Sequence, residues 1–278
     1  QLAEISFNNS KPDNYIFSTK LSFNSLNRRR SSKQDIFSTI DDVVFEKFGE
    51  SSDKDKYISP VMDMYFSKTF NAKHELTMNL VGTYYKSDYD YRYSELSGGV
   101  TDFETATNIN LDKYSFIGEA VYNYNMKTAQ LYVGSRYMYN NSTQKNLPSN
   151  NRTLTNEIYS YLGIAGMLGK KFNYSVSAGV NGNIFTTIEN KEYKFVYFRP
   201  QVKLGYFIDE SSDLTFNYEV NTENPAISSL TYNPYFKDAN YLYVGNPNLK
   251  PSNNHDLSLS YFKGFKKFVI SAEVAYSY

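Results

Sequence analysis

There is no cysteine in this chain, no tryptophan, and only two histidines, His74 and His255. Without cysteine there is no disulfide framework and no thiol chemistry. Two imidazoles are too few for most metal sites. Neither sign of charge is in surplus, with 29 Lys+Arg against 29 Asp+Glu. That balance argues against a nucleic-acid binder, which would carry a basic excess. Nowhere is there a run of roughly 18 apolar residues of the kind a transmembrane helix needs. Metalloprotease, hydrolase-elbow and P-loop patterns are missing too. His74 falls in a short turn and His255 opens a strand beside Asp256, so both read as solvated polar residues at strand ends rather than as catalytic bases. The acidic run Glu50–Asp55 lacks the spacing of a calcium loop and reads as a mobile, solvated loop. The sequence therefore assigns no catalytic residue, no cofactor-binding residue, no metal ligand and no enzymatic activity.

What the chain does have is tyrosine and phenylalanine, 28 and 20 of its 278 residues. They are set in a period-two alternation over segments of about ten residues, the pattern of half-buried strands. In Tyr15–Asn24, Phe17, Thr19, Leu21 and Phe23 oppose Ser18, Lys20, Ser22 and Asn24. In Tyr57–Phe70, Met62, Met64 and Phe66 oppose Asp63, Tyr65 and Ser67. Glu75–Tyr85, Tyr114–Asn125, Ala129–Tyr139, Glu157–Leu168, Phe172–Phe185, Tyr193–Ile208, Leu214–Val220, Leu257–Phe262 and Phe268–Tyr278 continue the series, about eleven strands in all.

Connections alternate in length. Short ones are expected at Asn71–His74, Met126–Thr128, Lys170–Asn173, Asp209–Asp213 and Lys263–Lys267. Long polar loops are expected at Asn27–Lys56, Lys86–Lys113, Asn140–Asn156 and Asn221–Asn254, with a shorter one near Thr186–Glu192. Short turns on one side and long loops on the other mark an outer-membrane barrel, whose long loops are extracellular. Tyrosines would also cover a soluble sheet, but a soluble sheet has no reason for this rhythm. Tyr84, Tyr85, Tyr89, Tyr91, Tyr93, Tyr122, Tyr124, Tyr137 and Tyr139 sit at strand ends, where a ring with a polar tip suits the lipid–water boundary. Lumen-facing positions would include Lys20, Asp63, Glu75, Glu119, Arg136, Arg199 and Glu219. Among the expected extracellular residues, Arg28, Arg29 and Arg30 with Tyr89, Tyr91, Arg92 and Tyr93 form the candidate ligand or partner contact, because Arg and aromatics dominate recognition surfaces.

One stretch, Glu223–Tyr261, carries more. Asn224, Pro225 and Leu230 fit the pattern "NP-x-x-x-x-L", and Gly245, Asn246, Pro247, Asn248, Leu249, Lys250 and Pro251 spell "GNPNLKP". This resembles the barrel region of TonB-dependent receptors of the Bacteroidetes type, departing only at Ser252, where those proteins usually have Glu. The motif residues read as structural: prolines fix φ, Gly245 permits a bend, and Leu249 is expected to anchor the returning segment against the wall.

The resemblance implies an all-β, antiparallel, up-and-down transmembrane barrel of about twenty-two strands, of which this chain supplies about half. Residues 1–278 then form part of one barrel domain, with plug and N-terminal segments absent and both ends reading as interior positions of a longer polypeptide. It implies the bacterial outer membrane as location, membrane lipid as surroundings, TonB contacted through a segment outside this chain, and a surface lipoprotein or other outer-membrane subunits as further partners. No nucleic acid is implied. The function implied is active uptake of a nutrient such as a siderophore, glycan or peptide. The alternatives are a transporter-like barrel kept as a scaffold in a larger complex and, behind it, a passive porin.

Overall fold

A computed structural model describes residues 2–40, 43–146, 149–230 and 234–278. Gln1, Asp41, Asp42, Leu147, Pro148 and Thr231–Asn233, the last seven inside expected loops, lie outside the described residues. The chain builds one antiparallel sheet of twelve strands in which almost every strand pairs with its neighbours in sequence. They are β1 (Leu2–Lys11), β2 (Tyr15–Ile40), β3 (Val43–Asn71), β4 (His74–Ser97), β5 (Val100–Asn125), β6 (Ala129–Asn146), β7 (Ser149–Leu168), β8 (Phe172–Thr186), β9 (Glu192–Asp209) and β10 (Ser212–Glu223). A short helix α1 (Ile227–Leu230) and a small hairpin of β11 (Tyr235–Asp238) and β12 (Tyr241–Tyr243) follow. The sheet resumes with β13 (Ser252–Gly264), which pairs with β10, and β14 (Val269–Ser277). Among the described residues no helix is long and apolar enough to cross a membrane, so any crossing is made by strands.

The register separates two faces. Leu21, Met62 and Gly82 form one rung, and Phe66, Met78 and Ala120 another. Their face carries the exposed apolar side chains, among them Leu162, Val180 and Phe198. The opposite face carries Lys20 across from Asp63 and Glu119 across from Arg136, with Glu75, Arg199 and Glu219 in the same phase. In a membrane barrel the apolar face meets lipid and the polar face lines the lumen. Tyr84, Tyr114, Tyr122, Tyr124, Tyr137 and Tyr139 lie on the lipid face. Tyr85, Tyr89, Tyr91 and Tyr93 lie in the other phase, so these four are lumenal residues and not part of a lipid-facing girdle.

Local chemistry accounts for the turns. Asn71 Oδ1 accepts the Lys73 amide at 2.9 Å, and Asp209 Oδ1 accepts the Ser211 amide at 2.8 Å, so each side chain closes its own short turn. At the far end of β4, Gly98 and Gly99 hold φ of 58° and 81°. Two successive positive-φ residues make the hairpin turn whose twist matches the strands it joins.

Two further expectations change. Three of the long loops are paired strand: β2 and β3 stay in register from Tyr15–Lys68 up to Ile40–Val43, β4 and β5 up to Ser97–Val100, and β6 and β7 up to Asn146–Ser149. Above the membrane both faces of a hairpin are wet, so hydrophobic alternation vanishes although the backbone ladder continues. The run Glu50–Asp55 is accordingly strand, inside β3. The other change is β1, the twelfth strand, which lies where the sequence reads as a connection. Its alternation of Ile5 and Phe7 with Ser6 and Asn8 is short, but each residue from Leu2 to Lys11 pairs with β2.

Candidate ligand-binding face

Above the apolar band the lumenal face of β2, β3 and β4 forms rungs. Arg28, Asp55 and Tyr89 make one, Arg30, Asp53 and Tyr91 the next, and Ser32, Ser51 and Tyr93 the third. Arg28 Nη2 donates to Asp55 Oδ2 at 3.1 Å. The Tyr89 and Tyr91 rings stack with centroids 6.5 Å apart and planes 8° from parallel. Pairing thus gathers Arg28, Arg30, Tyr89, Tyr91 and Tyr93 on one face, whereas Arg29 and Arg92 fall on the other. Asp53 and Asp55 are members the sequence reading missed. Only the β2–β3 register shows that they stand between the arginines and the tyrosines.

The next lumenal residue toward the hairpin tip is Glu95, which is 2% exposed. Its carboxylate accepts the Tyr93 hydroxyl at 2.9 Å and the Lys47 ammonium at 3.4 Å, and Gln34 donates to the Tyr93 oxygen at 3.2 Å. Burial, then the bond to Glu95, pushes the Tyr93 phenol up to about 12. Burial also raises Tyr89 and Tyr91, helped by Asp53 near the first and by Tyr89 near the second. Lys47 is raised chiefly by its bond to Asp102. At neutral pH the phenols are neutral and the ammonium charged, and these shifts widen that margin.

The segment between β10 and β13 forms a strap across this same face. Asn183 donates to Asn224 Oδ1 at 2.8 Å where the strap leaves β10, and Arg199 holds the end of β10 itself by donating through Nε to the Val220 carbonyl at 3.0 Å. Helix α1 lies against β6 and β7, and its Leu230 is fully buried. The Asn246 amide donates to the Ser229 carbonyl at 2.7 Å, which joins the two halves of the Asn-Pro and "GNPNLKP" stretches. Pro247 and Pro251 are buried, and Lys250 Nζ sits 5.7 Å from the Tyr193 ring centroid. Leu249, expected as the anchor, is 37% exposed, and Leu230 fills that role. The reason is the Asn246 turn, in which Asn246 Oδ1 accepts the Asn248 amide at 3.0 Å and the chain reverses before Leu249.

At its far end the strap reaches the tyrosine rungs. Tyr91 Oη donates to the Lys237 carbonyl at 2.7 Å, and the Ala239 amide donates to Glu95 at 3.4 Å. Phe236 meets Phe103 edge-on with centroids 5.5 Å apart. Between strap and wall a cleft of about 350 Å³ is lined by Tyr91, Arg92, Thr107, Pro234, Tyr235 and Phe236 among others. Lower on the lumenal wall, Glu157 bridges Arg136 at 3.3 Å and Arg199 at 3.7 Å, and the Arg199 guanidinium lies 4.6 Å from the Tyr159 ring centroid. Among the described residues no group of three or more metal-ligating side chains occurs.

Residues 169–278, which include the strap, match the outer membrane protein beta-barrel family. The chain as a whole has the fold of an outer-membrane β-barrel wall. Its fold is similar to the ferric-catecholate import receptor Fiu of E. coli K12, at 9% identity and a TM-score of 0.59, over 99% of this chain and 57% of that one. It is similar also to the alcaligin outer-membrane receptor FauA of Bordetella pertussis, at 12% identity and 0.56, over 99% and 48%. A third is BauA, the ferric preacinetobactin receptor of Acinetobacter baumannii, at 9% identity and 0.54, over 98% and 51%. The barrel wall thus spans about half the length of these receptors. No match was found among curated proteins.

Proposed function

We propose that this wall belongs to a TonB-dependent transporter that takes up a nutrient actively, and that the rungs of Arg28, Arg30, Tyr89, Tyr91 and Tyr93 with the strap contact the ligand at the extracellular mouth. The observation that carries this reading is the strap. It folds onto the lumenal face and forms a cleft against Tyr91, where a passive pore would need an open lumen. The family motif of the strap and the fold shared with import receptors support transport. The outermost strands β1 and β14 each leave one hydrogen-bonding edge unpaired, and hydrocarbon does not tolerate an open edge. Further strands pairing with β1 and β14 fit that requirement, and a plug inside the closed wall belongs to the same reading. TonB then makes contact through a segment outside these residues, and no catalytic step is assigned.

The test is uptake by cells carrying the full-length protein, supplied in turn with siderophores, glycans and peptides, with TonB present or deleted. The expected result is uptake of one class that needs both the protein and TonB. Uptake that persists without TonB identifies a passive channel. Absence of all uptake, with other outer-membrane subunits co-purifying, identifies a scaffold.

A further inference from the structure

The cleft between strap and wall has a chemical character that narrows its ligand. From the lumenal phase of β4 and β5 it is lined by Tyr91, by Thr107 directly opposite, and by Thr105 one rung further out. The strap supplies Pro234, Tyr235 and Phe236. None of these six side chains is charged. Asp90 and Arg92 also border the cleft, but in the outward phase of β4, and Asp90 already accepts the Asn108 amide. At about 350 Å³ the cleft has the size of a small-molecule pocket.

The charges around it cancel. From the Arg28 rung to the hairpin tips, the lumenal phase of β2–β4 carries Arg28, Arg30 and Lys47 against Asp53, Asp55 and Glu95. Arg28 is bonded to Asp55, and Lys47 bridges Glu95 and Asp102. Arg30 stands across the β2–β3 pair from Asp53. On the strap, Lys237 Nζ lies 5.7 Å from the Tyr241 ring centroid, and Asp238 accepts the Asn240 amide at 2.9 Å. An anionic chelate arriving here would meet a carboxylate for every cation, and a cationic ligand the reverse, so the face selects neither sign.

What the cleft offers is ring faces beside hydroxyls. Tyr235 stacks on Tyr243 with centroids 5.2 Å apart, and Tyr91 is fixed by its bond to the Lys237 carbonyl, so both rings are held in place before a ligand arrives. Thr105 and Thr107 stand two residues apart on one face of β5, ~7 Å, and each hydroxyl both donates and accepts. A sugar ring has the matching chemistry. Its C–H face is apolar and packs on an aromatic ring, while its rim of hydroxyls donates and accepts. An apolar peptide side chain would pack on the rings but would bury the threonine hydroxyls unpaired, which is costly.

We propose that the ligand of this cleft is a neutral glycan, with one sugar ring packed on Tyr91 and Tyr235 and its hydroxyls bonded to Thr105 and Thr107. The inference rests on the reading that this face contacts the transported nutrient, and it names the class of that nutrient. Because the seat carries no charge, binding depends little on salt.

The test is a binding panel on the full-length protein in detergent, read by native mass spectrometry. The neutral probes are maltohexaose, cellohexaose, laminarihexaose and mannohexaose; a ferric tris-catecholate and hexa-alanine stand for the anionic chelate and the peptide. At least one hexasaccharide is expected to bind, with an affinity that stays within about twofold as salt is raised tenfold. Tyr235→Ala weakens it about tenfold or more, the scale of a lost aromatic anchor. Thr105→Val with Thr107→Val, which keeps the shape and removes the hydroxyls, does the same, and the heat-modifiable gel shift checks that each variant is folded. The proposal is overturned if no hexasaccharide binds, if glycan affinity falls steeply with salt, or if folded variants bind like wild type. Failure of the transport reading looks different. Glycan that binds the purified protein but enters cells without TonB removes the coupling and leaves this inference standing. TonB-dependent uptake of the tris-catecholate, with no glycan bound, overturns this inference and leaves transport standing.

Discussion

The Ala239 amide and the Tyr93 hydroxyl converge on the same oxygen of Glu95, so one buried carboxylate holds both the strap and the wall. Glu95→Ala should therefore leave Tyr93, Lys47 and the strap amide without their acceptor, at a cost of about 1–3 kcal/mol. The loss should be local. Hydrogen exchange at residues 239–243 should quicken while β6–β8 amides stay protected. Unchanged protection of the strap would show that Glu95 does not hold it.

The same bond has a pH signature. The Tyr93 phenol is raised to about 12, above the ordinary value near 10 for an unfolded tyrosine. A raised value stabilises the folded contact fully below pH ~10 and loses that contribution as pH rises towards 12. An alkaline titration of tyrosinate absorbance should show a late component that Tyr93→Phe removes. If Tyr93→Phe leaves the late limb intact, the assignment fails.

Two glycines three residues apart should behave oppositely. A Cβ on Gly179 would collide with the Tyr159 ring, while one on Gly182 would meet only Ile158 at 3.5 Å. Gly179→Ala should shift the ring from under Arg199 and destabilise the barrel by about 1–3 kcal/mol. Gly182→Ala, on the lipid face, should stay within about 0.5 kcal/mol of wild type. Urea unfolding in detergent, followed by the heat-modifiable gel shift, compares them. Equal effects would contradict the assignment of faces.

Leu230 and Leu249 offer a second contrast. Leu230→Ala empties a fully buried position and should cost about 2–5 kcal/mol, read as faster proteolysis of the strap. The half-exposed Leu249 should tolerate Ala with little change. Equal sensitivity would return Leu249 to the anchoring role that the sequence suggested.

If the tyrosine rungs contact ligand, Tyr89→Ala should weaken uptake or binding by about tenfold, the scale of a hot-spot aromatic of about 1–2 kcal/mol. Its stacked partner Tyr91 also holds the strap, so Tyr89 is the cleaner probe. Normal affinity in Tyr89→Ala would move the contact elsewhere.

The transmembrane half of the sheet was legible in the sequence because lipid and lumen impose opposite chemistry on alternate residues. Met62, Asp63 and Met64 show this within three positions. Above the membrane that constraint lapses, and Arg28–Arg30 and Glu50–Asp55 read as loop although each residue is paired. Gly98-Gly99 was the available signal for a hairpin tip there. The contact residues themselves were legible as a composition of Arg and Tyr. Their partners Asp53, Asp55 and Glu95 were not, because register is a property of two strands and cannot be read from one. The strap motif was visible as a pattern, but its burial of Leu230 over Leu249 depends on where the Asn246 turn reverses the chain.

The β2–β3 hairpin sets how far the protein reaches beyond the cell surface. With 26 residues in β2 at about 3.4 Å each, the strand is ~88 Å long, or ~65 Å of height at a tilt near 40°. A lipid band ~25 Å tall accounts for less than half of that. The hairpin thus stands well clear of the membrane surface, with its last rungs a two-stranded ribbon beyond the reach of β4. The described rungs up to Ile40 and Val43 are therefore the part of the wall that anything arriving from outside the cell would meet first.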